Sequence, residues 1–171
     1  MIKKVNYASS REEVEQYCDE WETNDDKCFK FFCEHSGAFT DLVRQKKGSR
    51  IDYMCNRVRN GYSEPCHCEL KFRLNDINTF DSIYQDVEKM KAQLWDYIET
   101  GRIPYFVNFM QCKERVLIWD LRIYIGRLNQ LEQWKGIPKN SNTVETKYKL
   151  PIREAHYLEY DEEDGRYKVV W

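Results

Sequence analysis

The sequence predicts an α/β domain with a mixed central sheet flanked by helices. Three strand-like stretches follow one another between residues 38 and 73, a long amphipathic helix comes next, and two densely apolar strands follow that helix. The length, 171 residues, suits one domain that buries a real core.

Ser10 with Glu13 forms a capping box, which predicts a helix to about Trp21. Asp25 or Asp26 then caps a second helix to about His35, with Phe29, Phe32 and Cys33 on one side and Gly37 as its stop. Strands are expected over residues 38–45, 50–58 and 66–73. Lys46-Lys47-Gly48-Ser49 joins the first two as a hairpin connection. Asn60-Gly61 and Pro65 mark a turn between the second and third.

Thr79 is a plausible cap for the long helix. Phe80, Ile83, Tyr84, Val87, Met90, Leu94, Tyr97 and Ile98 recur at helical spacing, and Gly101 and Pro104 end it. Strands at 105–111 and 115–121, joined across Cys112-Lys113-Glu114, are apolar enough to be central. A further strand or turn is expected near 143–150, and the chain closes on an acidic, tyrosine-rich tail.

Composition narrows the function classes. With 42% hydrophobic residues the chain is not a disordered one, and no apolar run approaches the roughly 18 residues of a membrane span. Met1 to Tyr7 lacks the apolar stretch of a signal peptide. The seven cysteines are odd in number and contain no Cys-x-x-Cys. Together these features predict a cytoplasmic protein with reduced, buried thiols and no membrane partner. Cys66 and Cys68 flank His67, but their one-residue gap is unlike a zinc knuckle. Strand alternation also points cysteine and histidine to opposite faces, so no cysteine-built metal site is expected.

Net charge is −2, but it is unevenly spread. Residues 40–75 carry eight bases against four acids, and residues 153–171 carry six acids against three bases. A basic middle suits an anion-binding surface, and an acidic end suits a solvated appendage.

The chemistry concentrates on the third predicted strand. Alternation puts His67, Glu69, Lys71 and Arg73 on one face and Cys68, Leu70 and Phe72 on the other. Glutamate and lysine near the centre of a strand are costly to bury without partners. Asp52, on the preceding strand, is the natural partner. Asp52, Glu69, a backbone carbonyl such as that of Leu70 and water would suit Mg²⁺ or Mn²⁺. Lys71 beside them would orient or deprotonate a water, or stabilise a pentavalent phosphorus. Acid-x-Lys occurs three times, at Asp25-Asp26-Lys27, Glu69-Leu70-Lys71 and Glu145-Thr146-Lys147. Only the second has a strand acid 17 residues upstream, a hairpin between and a long helix after.

In these residues the chain resembles the PD-(D/E)xK nuclease superfamily, over roughly residues 25–121. Asp52 matches the first acid, with Ile51 where Pro is usual, and Glu69 and Lys71 match the second element. Gln93-Leu94-Trp95-Asp96-Tyr97 is similar to the Q-x-x-x-Y motif of the RecB-like branch, and Glu34 stands where many members carry a further acid.

The resemblance implies a restriction-endonuclease-like α-β-β-β-α-β core, with residues 122–171 as a C-terminal extension. It implies a divalent-metal-dependent deoxyribonuclease acting on DNA, with Asp52, Glu69, Leu70 and Glu34 on the metal. Gln93, Tyr97, Lys46, Lys47, Arg50 and Arg73 would lie along the nucleic acid. A homodimer would let so small a domain cut both strands. The alternative is a catalytically inactive module of the same fold that binds nucleic acid or protein. With only Cys112 after the helix, no iron–sulfur cluster is expected.

Overall fold

A computed structural model describes residues 11–73, 81–110, 115–137 and 143–171. Ser10, Thr79, Phe80, Gln111 and the Cys112-Lys113-Glu114 connection lie outside the described residues. The elements are α1 (Arg11–Ser36), β1 (Phe39–Arg44), β2 (Tyr53–Arg59), β3 (Tyr62–Arg73), β4 (Ser82–Asp86), α2 (Val87–Thr100), β5 (Ile103–Met110), β6 (Arg115–Asp120), β7 (Gln133–Gly136), β8 (Glu145–Pro151), β9 (His156–Asp161) and β10 (Arg166–Val169).

Seven strands form a mixed sheet in the order β1-β2-β3-β5-β6-β9-β10, and β4-β8-β7 form a smaller one. β3 and β5 pair in parallel, so the chain must cross over between them, and β4 with α2 makes that crossover. The other neighbours in the large sheet are antiparallel. β5 is buried at every position, as its mostly apolar sequence requires of a strand covered on both faces, with Asn108 its one polar side chain apart from the Tyr105 hydroxyl.

Two apolar clusters lie on opposite faces of the sheet. Phe29, Phe32 and Cys33 of α1 pack on Cys66, Cys68 and Leu70 of β3 and on Val107 and Phe109 of β5. Val87, Met90 and Leu94 of α2 pack on Phe106 and Met110 of β5 and on Leu117 and Trp119 of β6. This is mixed α/β architecture with a helix on each face.

Several boundaries differ from the sequence expectation. The two predicted N-terminal helices are one, because Asp26 does not cap a new helix. Its carboxylate instead pairs with Lys30 at 2.8 Å and accepts from the Tyr53 hydroxyl, contacts that reward continuing α1 through it. Burial alone would raise the Asp26 carboxyl, but the bonds from Lys30 and Tyr53 hold it below the ordinary range.

β2 and β3 extend to a two-residue turn. Asn60 and Gly61 both have positive φ, as a type I′ hairpin demands, and Pro65 lies within β3 opposite Asn56.

Residues 82–86 are a strand and not the first turns of the long helix. Ile83 and Gln85 face inward while Ser82, Tyr84 and Asp86 do not, a period of two that β8 completes by pairing. The helix starts afterwards, where the Asp86 carboxylate accepts from the Lys89 N–H at 2.9 Å, and it ends at left-handed Gly101.

The tail also departs from expectation. β9 pairs with β6 and β10 with β9, so residues 156–169 widen the main sheet beyond the expected core. The acidic run Asp161–Asp164 occupies the turn between them. There Asp161 accepts from the N–H groups of Glu163 and Asp164 at 2.9 and 3.1 Å. Among the described residues, no helix is long and apolar enough to cross a membrane.

Candidate functional site

Asp52 stands immediately before β2 and continues its pairing by one residue. Its N–H donates to the Cys68 carbonyl at 2.9 Å, and its own carbonyl accepts from Gln45 at 2.8 Å. The main chain of Asp52 is therefore held on both sides. Its Oδ2 accepts from the Leu70 N–H at 2.7 Å, and Oδ1 lies 3.2 Å from Nη1 of Arg44. Leu70 meets the site through that N–H, while its side chain is fully buried on the α1 face.

Glu69 lies on the α2 face of β3 and is completely buried. Oε1 is 2.6 Å from Nζ of Lys89 and 3.4 Å from Nζ of Lys71, and Oε2 has no protein hydrogen-bond partner. Burial raises the Glu69 carboxyl above its ordinary range and Asp52 adds to this, against the pull of Lys71 and Lys89. Burial also works against the charge on Lys89, but Glu69, Asp52 and Asp86 outweigh it and hold the ammonium charged. Lys71 keeps 43% of its side chain in solvent, so it stands at the rim while Glu69 lies beneath.

A third carboxylate joins these two. Asp25 of α1 is partly buried, and its Oδ1 is buried with no hydrogen-bond partner. Burial, reinforced by the charges of Asp52 and Glu69, pushes its pKa up to about 7, although Lys71 and Arg44 oppose the rise. Asp25 and Glu69 thus each feel the charges of Asp52 and of Lys71.

Comparison with known proteins finds no matching family model, no matching curated protein and no matching solved structure. The site rests on its own geometry.

Glu34 is exposed, nine residues beyond Asp25 and so about 13 Å along α1. The α1 acid within electrostatic reach of Asp52 and Glu69 is Asp25. Lys46, Lys47 and Arg50 are exposed on the β1–β2 connection. Gln93 is buried on α2, with Nε2 3.5 Å from the Arg50 carbonyl, so it meets the backbone of that connection. Tyr97, one turn further, is half-buried under the Arg122 guanidinium, 5.9 Å from its ring centre.

Arg73 turns inward. Nε donates to Asn108 Oδ1 at 2.9 Å and Nη2 to the Tyr84 carbonyl at 2.8 Å, tying β3 to β5 and β4. Burial lowers its pKa to about 10, with Asp25 opposing. Arg73→Ala is therefore expected to lower stability to urea by roughly 1–3 kcal/mol, because it leaves the buried Asn108 acceptor unpaired. DNA affinity should not change. A stable variant with weakened DNA binding would return Arg73 to the phosphate-contacting set.

Sequence reasoning missed two members of the site. Asp25 leaves little signal, because its Asp-Asp-Lys tripeptide has no strand acid upstream. Its true partners lie 27 and 44 residues downstream in Asp52 and Glu69. Lys89 did leave a signal, since Lys89, Gln93 and Tyr97 are spaced by four and so share one side of α2.

Proposed function

We propose that this protein is a divalent-metal-dependent deoxyribonuclease with a restriction-endonuclease-like core. The observation that carries the reading is that Asp25 and Glu69 each lie within electrostatic reach of Asp52, of Lys71 and of one another. The order α1, β1, β2, β3, α2, β5, with β3 parallel to β5, is consistent with that core once β4 is treated as an insertion.

The donor set fits a hard cation. All three groups offer carboxylate oxygens, and Asp25 Oδ1 and Glu69 Oε2 are buried without partners. Asp25, Asp52 and Glu69 would hold Mg²⁺ or Mn²⁺, which supplies charge for a phosphoryl oxygen and a more acidic bound water. Lys71, at the rim, is placed to hold a proton of the attacking water or to neutralise charge on the phosphate. Arg44 would keep the Asp52 carboxylate oriented. The exposed Lys46, Lys47 and Arg50 would meet the DNA backbone.

The deciding experiment incubates the pure chain with linear, circular, single-stranded and branched DNA, with Mg²⁺ and with chelator. Cleavage in Mg²⁺ that chelator abolishes is the expected result. Folded protein that leaves every substrate intact would overturn the reading. One observation favours a second reading, a non-catalytic module of the same fold: Glu69 is already contacted by two lysines. DNA binding without cleavage would select it.

Replacing Lys46, Lys47 and Arg50 together with alanine should weaken DNA binding and flatten its salt dependence. Each lost phosphate contact lowers the slope of log K against log salt by about 0.9 on duplex DNA. An unchanged slope would show that the β1–β2 connection faces away from DNA.

A further inference from the structure

On the face of β3 opposite Glu69, three thiols meet inside the core. Cys66 and Cys68 are two apart on β3 and share that face, and Cys55 on β2 stands directly across from Cys66. The Cys55 sulfur is 3.4 Å from that of Cys66 and 3.6 Å from that of Cys68, and all three lie within 4.8 Å of one another. Each is at least 94% buried. Cores accept an isolated cysteine readily as a small apolar group. Three sulfurs converging on one point is a different arrangement. Around a tetrahedral ion with metal–sulfur bonds of about 2.3 Å, sulfurs stand roughly 3.8 Å apart.

We propose that Cys55, Cys66 and Cys68 form a binding site for one soft divalent cation, zinc by chemical class. An all-sulfur donor set selects soft or borderline metals and rejects Mg²⁺, so the site is chemically separate from the carboxylates on the other face. Charge also favours a divalent ion. Three thiolates around a dication leave one negative charge, and the Arg57 guanidinium offsets it within the same core. Arg57 is held there by a bond to the Ala38 carbonyl at 2.7 Å and by the rings of Phe39 and Tyr105, and its charge acts on Cys66.

Structural zinc usually takes four ligands. Cys33 of α1, buried in the same cluster and within electrostatic reach of both Cys55 and Cys66, is the candidate fourth; as a thiolate it would take the site to −2, half of it offset by Arg57. The bound ion would clamp the β2–β3 hairpin and, through Cys33, pin α1 to it. Each ligating thiol releases its proton to solvent on binding, so uptake strengthens as pH rises.

The test uses the full chain, freshly reduced and free of metal, titrated anaerobically with Cd²⁺ as the probe. Thiolate-to-cadmium absorption in the ultraviolet should saturate at one ion per chain, and added Zn²⁺ should displace it and raise the melting temperature. Cys66→Ala and Cys68→Ala should each weaken uptake at least 100-fold. Cys28→Ala, a matched change in the same core, should leave it unaltered, as should the joint replacement of Cys18 and Cys112 by alanine. Because a core substitution can itself loosen the fold, X-ray absorption on wild-type protein loaded with Zn²⁺ gives an independent count. A first shell of three or four sulfurs supports the site. Absence of the absorption band, its persistence in both β3 variants, its equal loss in Cys28→Ala, or a shell of nitrogen and oxygen overturns it.

Discussion

Lys71→Ala is expected to lower Mg²⁺-dependent DNA cleavage about 100- to 1,000-fold, the usual cost of removing one positioned charge from a reacting centre. It should barely alter stability. Lys71 is 43% exposed and stands 3.4 Å from Glu69, whereas Lys89 lies closer at 2.6 Å and remains to neutralise that carboxylate. Lys89→Ala should show the opposite balance. It removes the nearer partner from a fully buried acid and should cost roughly 3 kcal/mol in a urea titration, the lower end for a broken buried pair because Lys71 persists. The two lysines are thereby assigned separate work, Lys71 on substrate and Lys89 on the acid. Folded Lys71→Ala protein that cleaves at the wild-type rate would remove the lysine from the mechanism. Equal destabilisation by both substitutions would make the cluster a structural ion network.

Asp25 carries the second large effect, and it is read through pH. Its carboxyl titrates near 3.8 when unperturbed and at about 7 in the folded protein, so the folded state holds a proton that the unfolded state has lost between those values. Its stabilising contribution is full below about pH 4 and is lost as pH rises to about 7. The total is on the order of 3–4 kcal/mol. Asp25→Asn should flatten that dependence and raise the melting temperature near pH 8 by roughly 5–10 °C in chelator.

Metal binding runs the other way, because a cation favours the ionised carboxylate. Mg²⁺ should bind wild type more tightly as pH rises through about 7 and should stabilise Asp25→Asn much less. The measurement is a set of thermal melts across pH for both proteins, with Mg²⁺ and with chelator. Identical pH profiles would show that Asp25 does not titrate in this range. An identical Mg²⁺ response would take it out of the metal-binding set.

Whatever depends on neighbours along the chain can be read without the fold. Alternation on β3 separated Glu69 and Lys71 from Cys68 and Leu70, and Asn60-Gly61 marked the turn that sets β2 against β3. The apolar density of β5 and β6 marked them as buried strands. These features were legible because strand period and turn chemistry are local, and a slip of one residue would turn every side chain to the wrong face.

Tertiary structure decided the rest. Ile83 and Tyr84 fit a helical spacing as well as a strand, and β8, more than sixty residues later, settles the matter by pairing with β4. Residues 156–169 read as a solvated tail until β6 offers them an edge. Asp25 and Asp26 look alike in sequence as two possible caps. In the fold one becomes the partner of Tyr53 and Lys30, and the other is part-buried within electrostatic reach of Asp52 and Glu69. Cys55 stands eleven residues from Cys66, and only the hairpin register brings their sulfurs together. Pattern along a chain reports which way a side chain points. What it meets there depends on packing between distant segments, and that packing decides burial, charge and pKa.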